Sequence, residues 1–305
     1  MDSTTDSESQ EVLENEIVEL ELRLQRAKQR LAKSDTANAN NANKLSLPSY
    51  PSSQSSHHYL LLLSDSALPL GSFAFSSGLE SYLSHTRARR NTPRPATSPF
   101  SSFLPLSISS YASTTLPFAL AAHRDPTPDT IAHLDDALDA AIICAVGRRA
   151  SVQQGRALLA IWEKSIAATA DPRGTLAPYA EVLRTSSRTN PNPNPTEPDL
   201  PPPASAHLAP LFGAVASLCG LTVRQAAYVF MLGHVKALVS AAVRAGLFGP
   251  YQAQRILAGG EVQGLLAEVI AREWETRVEE AGQSVPVMDF WVGRHELLYS
   301  RIFNS

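Results

Sequence analysis

Residues 222–246 read TVRQAAYVFMLGHVKALVSAAVRAG, the most apolar long stretch of the 305-residue chain. Thr222 and Gln225 form the pattern of a capping box, in which each side chain bonds the other residue's backbone N–H at the start of a helix. Gly246 is the residue type that ends a helix. The stretch 226–243 is short for a membrane span and carries a histidine and a lysine near its middle, so it predicts a helix buried in a protein core.

Helical signals continue on both sides of this stretch. Pro250 suits the first position of a following helix, which the Gly-Gly pair 259–260 would end, and Thr127 with Pro128 would begin another. The apolar run 59–63 is too short to distinguish a strand from a helix. Because strand signals are otherwise scarce, we predict an all-α fold, a helical bundle of roughly ten helices. Further helices are predicted at 71–84, 152–168, 261–281 and 289–301, the last capped by Asp289.

Segments of biased composition divide the chain. Within residues 11–34 apolar side chains recur at spacings of three and four over about three heptads, which predicts either a short coiled coil or a single amphipathic helix. These side chains are Leu13, Ile17, Leu20, Leu24, Ala27 and Leu31. The predicted organisation is a disordered acidic start (1–10), this separate N-terminal helix (11–34), a linker (35–56) and a helical domain (57–305) with Pro-rich insertions at 86–109 and 185–206.

Charge and cysteine usage restrict the classes of partner. The chain has 26 basic and 29 acidic residues and a formal net charge of -3, so there is no basic excess of the kind that binds nucleic acid. It has two cysteines, each inside an apolar stretch, which suits a reducing compartment. The acidic, polar N-terminus does not resemble a secretory signal. We therefore expect a cytoplasmic protein with no nucleic-acid or membrane partner.

The common catalytic motifs fail in this sequence. No phosphate-binding GxxxxGK[ST] and no GxGxxG occurs, so we expect no nucleotide site. His295 and Glu296 begin a zinc-protease pattern, but the position of the second histidine is Tyr299. The adjacent His57 and His58 are either a low-affinity metal site or an exposed pair at a loop edge. The residues alone therefore predict a cytoplasmic helical binding module, without a catalytic, metal or cofactor site of its own.

Three segments together resemble the UreF family of urease accessory proteins. They are LLLSDSALPLGSFAFSSGLE at 61–80, SAAVRAGLFGPYQAQ at 240–254 and HELLYSRIFNS at 295–305. A weaker match, with Arg149, Ser151 and the Gln-Gly-Arg of 154–156, lies between them in the expected order. The resemblance covers about residues 59–305.

The resemblance implies a non-enzymatic assembly factor. Members of the family are all-α proteins, usually homodimers, that join the accessory protein UreD (UreH in some species) and the GTPase UreG on apo-urease for nickel insertion. Nickel and GTP are handled by that complex, so the resemblance implies no cofactor held by this chain. Two alternatives stay open: a metal-dependent hydrolase that uses the scattered histidines, and a coiled-coil adaptor unrelated to urease.

The resemblance also points to partner-binding residues near both ends of the domain. The family places an aromatic residue at position 73, here Phe73, where it helps to seat the tail; the alternative is an ordinary core aromatic. Glu80 would either accept from a partner's arginine or be solvated. Arg301 in an amphipathic tail suits a docked interface, although the tail would alternatively fold back onto its own domain. The predicted partner-binding set is Phe73, Glu80, His295, Tyr299, Arg301 and Phe303.

A second set is predicted to be structural or to lie at an interface. Gly71 and Gly78 would let two backbones approach closely. Arg244 stands where a cation suits the end of a helix. Gln252 and Gln254 would line a polar dimer or tunnel surface, or serve only in capping and solvation.

Overall fold

The computed structural model describes residues 52–66, 68, 71–88, 98–188 and 204–304, together with two single residues, Gln25 and Lys28. The chain divides into two units, residues 1–51 and 52–305, and all of the described ranges belong to the second unit. The predicted disordered start (1–10), the N-terminal helix (11–34) apart from Gln25 and Lys28, and residues 35–51 of the linker therefore lie outside the described residues and stay predictions.

The described residues form helices and turns and contain no strand, which confirms the all-α fold class. The α-helices are α1 (Ser52–Leu63), α2 (Leu79–Ala88), α3 (Pro99–Arg124), α4 (Pro128–Ala141), α5 (Ala145–Ile161), α6 (Ala167–Ala170), α7 (Ala177–Arg188), α8 (Leu208–Leu218), α9 (Val223–Arg244), α10 (Pro250–Ala258), α11 (Gly260–Glu273) and α12 (Val287–Gly293). A π-helical turn, Trp162–Ile166, joins α5 to α6, and short 3₁₀ turns cover Ser72–Ala74, Val278–Glu280 and Arg294–Leu297.

Helix α9 is the core helix that its sequence predicts. The Thr222 side chain accepts from the Gln225 backbone N–H, at 3.2 Å, and Gln225 Oε1 accepts from the Thr222 N–H, at 2.9 Å, so the capping box is formed. Gly246 adopts a φ of +73° just after the helix. Among the described residues α9 is the one helix long and apolar enough to cross a membrane, and 56% of its most apolar window is buried inside the protein. Core helices of compact domains pass the same test, so this is weak support for a span.

The capping box gives a direct test of the start of α9. We expect Thr222→Ala to lower the free energy of unfolding by about 1 kcal/mol, because the N–H of Gln225 loses its acceptor. The measurement is the urea midpoint followed by circular dichroism, with Thr222→Ser as the control that keeps the hydroxyl. An alanine variant as stable as the serine variant would contradict the cap.

The predicted Pro-rich insertion at 86–109 is wrong over its second half. Helix α3 begins at Pro99, with Ser98 at the N-cap, and runs for 26 residues. Its apolar side chains follow a helical spacing: Phe100, Phe103 and Leu104 are all buried. Proline suits the first turn of a helix, where its missing N–H has no intrahelical partner anyway.

Two prolines inside α3 are accommodated in different ways. Pro117 cannot donate to the carbonyl of Ser113, and the Gly282 N–H donates to that carbonyl instead, at 3.1 Å. The Ser284 N–H donates to the Ser113 hydroxyl, at 3.2 Å. The chain before α12 is thereby fixed to the middle of α3. Pro105 removes the donor to the carbonyl of Ser101, which is an exposed residue.

Several element ends differ from the sequence predictions. The run 59–63 is helical and belongs to α1, which begins at Ser52 inside the predicted linker. The predicted last helix, 289–301, is shorter: α12 begins at Val287, Asp289 lies in its first turn, and the segment after Leu297 is not helical. The Pro-rich loop predicted at 185–206 is helical as far as Arg188, because the prolines begin only after that point.

The return from the same loop is held in place by one carboxylate. Asp135 accepts from the backbone N–H groups of Ser205, Ala206 and His207, at 2.6, 3.0 and 2.6 Å. Ala204 and Ala206 are buried. Residues 204–206 are thus a fixed entry to α8, whereas the sequence predicted a flexible loop there.

Candidate functional site

The tail, residues 298–304, folds back onto the chain's own helical domain. It leaves the 3₁₀ turn Arg294–Leu297 in an extended conformation, and the Asn304 N–H donates to the carbonyl of Ala74, at 2.8 Å. Phe303 is buried, with 4% of its surface exposed. The tail therefore adopts, in part, the folded-back arrangement that the sequence left as the alternative to docking.

Glu80 is the buried acceptor that holds the tail. Its carboxylate accepts from the Ile302 N–H at 2.7 Å and from the Phe303 N–H at 3.2 Å. His295 Nε2 lies 2.9 Å from Glu80 Oε2. Glu80 is 8% exposed and His295 is fully buried. Glu80 is therefore not the solvated carboxylate that one of the two predictions gave, because its oxygens are occupied by donors of the same chain; its role toward a partner stays a prediction.

Arg244 closes the other side of the tail. Its guanidinium donates to the carbonyl of Phe73 and stands over two aromatic rings, 4.4 Å from the centroid of Phe303 and 5.8 Å from that of Phe73. Burial lowers the pKa of Arg244 from its ordinary value, but an arginine stays charged at physiological pH. The helix-end position predicted for Arg244 is confirmed, and the side chain also bridges two segments that are distant in sequence.

The outer face of the tail is apolar and exposed. Tyr299 is fully exposed, Leu297 is 75% exposed, Ile302 is 64% exposed, and Phe73 on the adjacent turn is 60% exposed. Large exposed apolar side chains on one short segment are typical of protein interfaces. Of the predicted partner-binding residues, the structure thus buries Glu80, His295 and Phe303 and exposes Phe73, Tyr299 and Arg301.

Arg301 belongs to an ion cluster at the edge of this face. Glu296 accepts from Arg301 Nη1 at 2.9 Å and also pairs with Arg149. The hydrogen bonds from Arg149 and then Arg301 lower the pKa of Glu296, so this carboxylate is ionised at neutral pH. Two guanidiniums on one carboxylate leave a net positive charge beside the apolar face.

Arg149 and Glu296 were missing from the predicted site. Arg149 lies in the first turns of α5 and Glu296 in the turn before the tail, so no local spacing relates them. Both belong to segments that carry the family resemblance, and that was the signal available in the sequence.

The predicted structural residues have separate roles. Gly78 has a φ of +85°, and a Cβ there would lie 3.1 Å from the backbone nitrogen of Val292, so this position does provide a close approach. Gly71 has a φ of +84° but nothing within 4 Å of a Cβ, so its role is the left-handed backbone conformation. Gln252 and Gln254 are exposed on α10 and take no part in the contacts that hold the tail.

Two cavities lie in the helical body and share the side chains of Tyr111 and His234. Their volumes are about 430 and about 330 Å³. The two rings stack with centroids 4.0 Å apart, and His234 Nε2 lies 3.0 Å from Ser107 Oγ. Burial lowers the pKa of His234 to about 3, so this imidazole is neutral at physiological pH. Within the described ranges, no group of three or more His, Cys, Asp or Glu side chains is placed to hold a metal ion.

A Ser–His–Asp arrangement near the larger cavity has a structural explanation. His207 Nδ1 lies 3.0 Å from Ser151 Oγ, and His207 Nε2 lies 3.0 Å from Asp139 Oδ1. The Leu208 N–H points at the same serine oxygen, at 3.4 Å. All of these contacts serve the entry to α8, which Asp135 also holds. We therefore interpret the arrangement as the anchor of that entry.

Comparison with known proteins gives a consistent family. The family model for UreF matches residues 100–260, which include the resembling segment at 240–254 and exclude the other two. A urease accessory protein described as UreF-like from Schizosaccharomyces pombe is 35% identical over 256 residues, covering 83% of this chain and 99% of that protein. Urease accessory protein F of Arabidopsis thaliana is 31% identical over 251 residues, covering 80% of this chain and 90% of the relative.

A relative from rice belongs to the same family as these two proteins. Urease accessory protein F of Oryza sativa subsp. indica is 31% identical over 248 residues, which cover 79% of this chain and 82% of the relative. The family model spans more than half of the chain, and the similarity to the relatives extends over most of each protein. The chain belongs to the UreF family of urease accessory proteins.

Proposed function

We propose that this chain is a non-catalytic assembly factor for urease. It joins a UreD-type accessory protein and a UreG-type GTPase on apo-urease, in the cytoplasm, and acts there as a homodimer during nickel insertion. It holds no cofactor of its own, since nickel and GTP are handled by the assembled complex. Family membership supports this role.

The observation that carries the proposal is the exposed face of an anchored tail. Glu80 and Arg244 fix the tail from below, and Tyr299 and Ile302 face outward. An interface that is ordered before binding loses less conformational entropy when a partner docks. We propose that the UreD-type protein binds this face, with Arg301 at its edge.

Arg301→Ala tests the edge of that face. We expect the variant to weaken the complex with the UreD-type protein by about 1–3 kcal/mol, the range of a hot-spot arginine. The measurement is titration calorimetry with the full chain. The matched control is Arg255→Ala, an exposed arginine on α10, which should leave the affinity unchanged. If both variants bind as the wild type does, Arg301 only pairs with Glu296 and takes no part in docking.

Removal of residues 295–305 tests the whole tail. We expect the complex with the UreD-type protein to be lost in gel filtration, while the helical content of the shortened chain stays near that of the full chain. A complex that persists would refute docking through the tail.

A further inference from the structure

We infer that Arg244 is a positioning residue that locks the tail and the 71–75 turn into one docking surface. This inference rests on the proposed function, because it assigns a role within the face to which the UreD-type partner binds. Arg244 lies at the end of α9, between two segments that are more than 200 residues apart in sequence.

Glu80 and Arg244 hold different parts of the tail. Glu80 accepts from the backbone N–H groups of Ile302 and Phe303, and it therefore fixes the main chain of the tail. Arg244 contacts the 71–75 turn through the carbonyl of Phe73 and contacts the tail through the ring of Phe303. One side chain thus connects the two halves of the exposed face.

The chemistry of this connection suits arginine in particular. A guanidinium is planar, so it stacks on an aromatic ring with its face and donates hydrogen bonds from its edge. An ammonium on a flexible stem satisfies one of these contacts at a time. The Asn304 N–H donates to the carbonyl of Ala74, and this hydrogen bond is a second contact at the junction between the tail and the 71–75 turn. Loss of Arg244 should therefore loosen this junction and leave the Glu80 contacts in place.

Hydrogen exchange in the full chain without a partner tests the local effect. In Arg244→Ala, we expect the Asn304 amide to exchange about tenfold faster, because its acceptor lies on the loosened turn, and the Ile302 amide to change by less than about threefold. The melting temperature should stay within about 2 °C of wild type, as the contact lies at the surface. Equal acceleration of both amides together with a lowered melting temperature would mean a general structural role and would overturn the inference.

Binding to the UreD-type protein tests the functional effect. We expect Arg244→Ala to raise Kd about tenfold, Arg244→Lys to recover only a minor part of that loss, and Arg255→Ala to bind as wild type does. An Arg244→Ala variant that binds with wild-type affinity, or a lysine variant that is indistinguishable from wild type, would refute the inference alone. If the wild-type chain itself does not bind the UreD-type protein, the proposed function fails, and the inference fails with it.

Discussion

Gly213→Ala should strongly destabilise the helical domain, whereas Gly264→Ala should leave it equally stable or slightly more stable. Gly213 lies on α8 where that helix crosses α3, and a Cβ there would stand 2.0 Å from the backbone oxygen of Ala119. Backbone atoms of a packed helix have no rotamer to change, so the two helices would have to move apart. Overpacking typically costs about 1–3 kcal/mol, and we expect the upper end of that range or more where the clash is with backbone atoms, which is a large part of the stability of an ordinary domain.

The test compares the two variants by urea denaturation. Gly264 lies inside α11 with nothing within 4 Å of a Cβ, and an exposed helical glycine gains about 0.5–1 kcal/mol on replacement by alanine. We expect the midpoint of Gly213→Ala to fall well below that of wild type and the midpoint of Gly264→Ala to match or exceed it. A Gly213→Ala protein with a wild-type midpoint would show that the backbones of α3 and α8 lie farther apart at this crossing.

Glu80→Ala should release the tail and abolish binding of the UreD-type protein. The substitution removes the acceptor of two backbone N–H groups and the partner of His295. Buried donors left without an acceptor cost about 1–3 kcal/mol each. Because the tail can move out into water, we expect most of this cost to appear as detachment of the tail rather than as global unfolding.

The release of the tail is measured by hydrogen exchange at Ile302 and Phe303 and by the affinity for the UreD-type protein. Glu80→Gln, which keeps one acceptor oxygen, should show an intermediate effect, and the exposed Glu268→Ala on α11 should show none. Slow exchange at both tail amides in Glu80→Ala would contradict the role of this carboxylate.

Local signals in the sequence predicted most of the helices correctly. The capping box of Thr222 and Gln225 and the proline at position 250 act within one helical turn, so their effect is readable without the rest of the fold. The sequence patterns predict no helix over α3, because the Pro-rich composition of 86–109 is typical of a loop, although Phe100, Phe103 and Leu104 follow a helical spacing. The carbonyl that Pro117 frees finds its donor only at Gly282, a relation that no local pattern contains.

The sequence predicted which segments form the candidate site but not the contacts that hold them together. The resemblance located the segments 61–80 and 295–305, and the structure brings them together. The contact between Glu80 and Ile302 spans 222 residues, so the sequence alone presented Glu80 as a solitary carboxylate on a helix. Because Phe73 and Phe303 are also far apart in sequence, no local pattern predicted that Arg244 contacts both of them.

The most direct test of the urease role is urease activity in cells. The measurement uses a urease-positive host strain from which the gene for its own UreF protein has been deleted, and compares the full chain with the chain lacking residues 295–305. We predict that the full chain restores urease activity and that the shortened chain, present in equal soluble amount, does not. A full chain that is soluble and abundant but leaves urease activity at the level of the deletion strain would contradict a role in urease assembly.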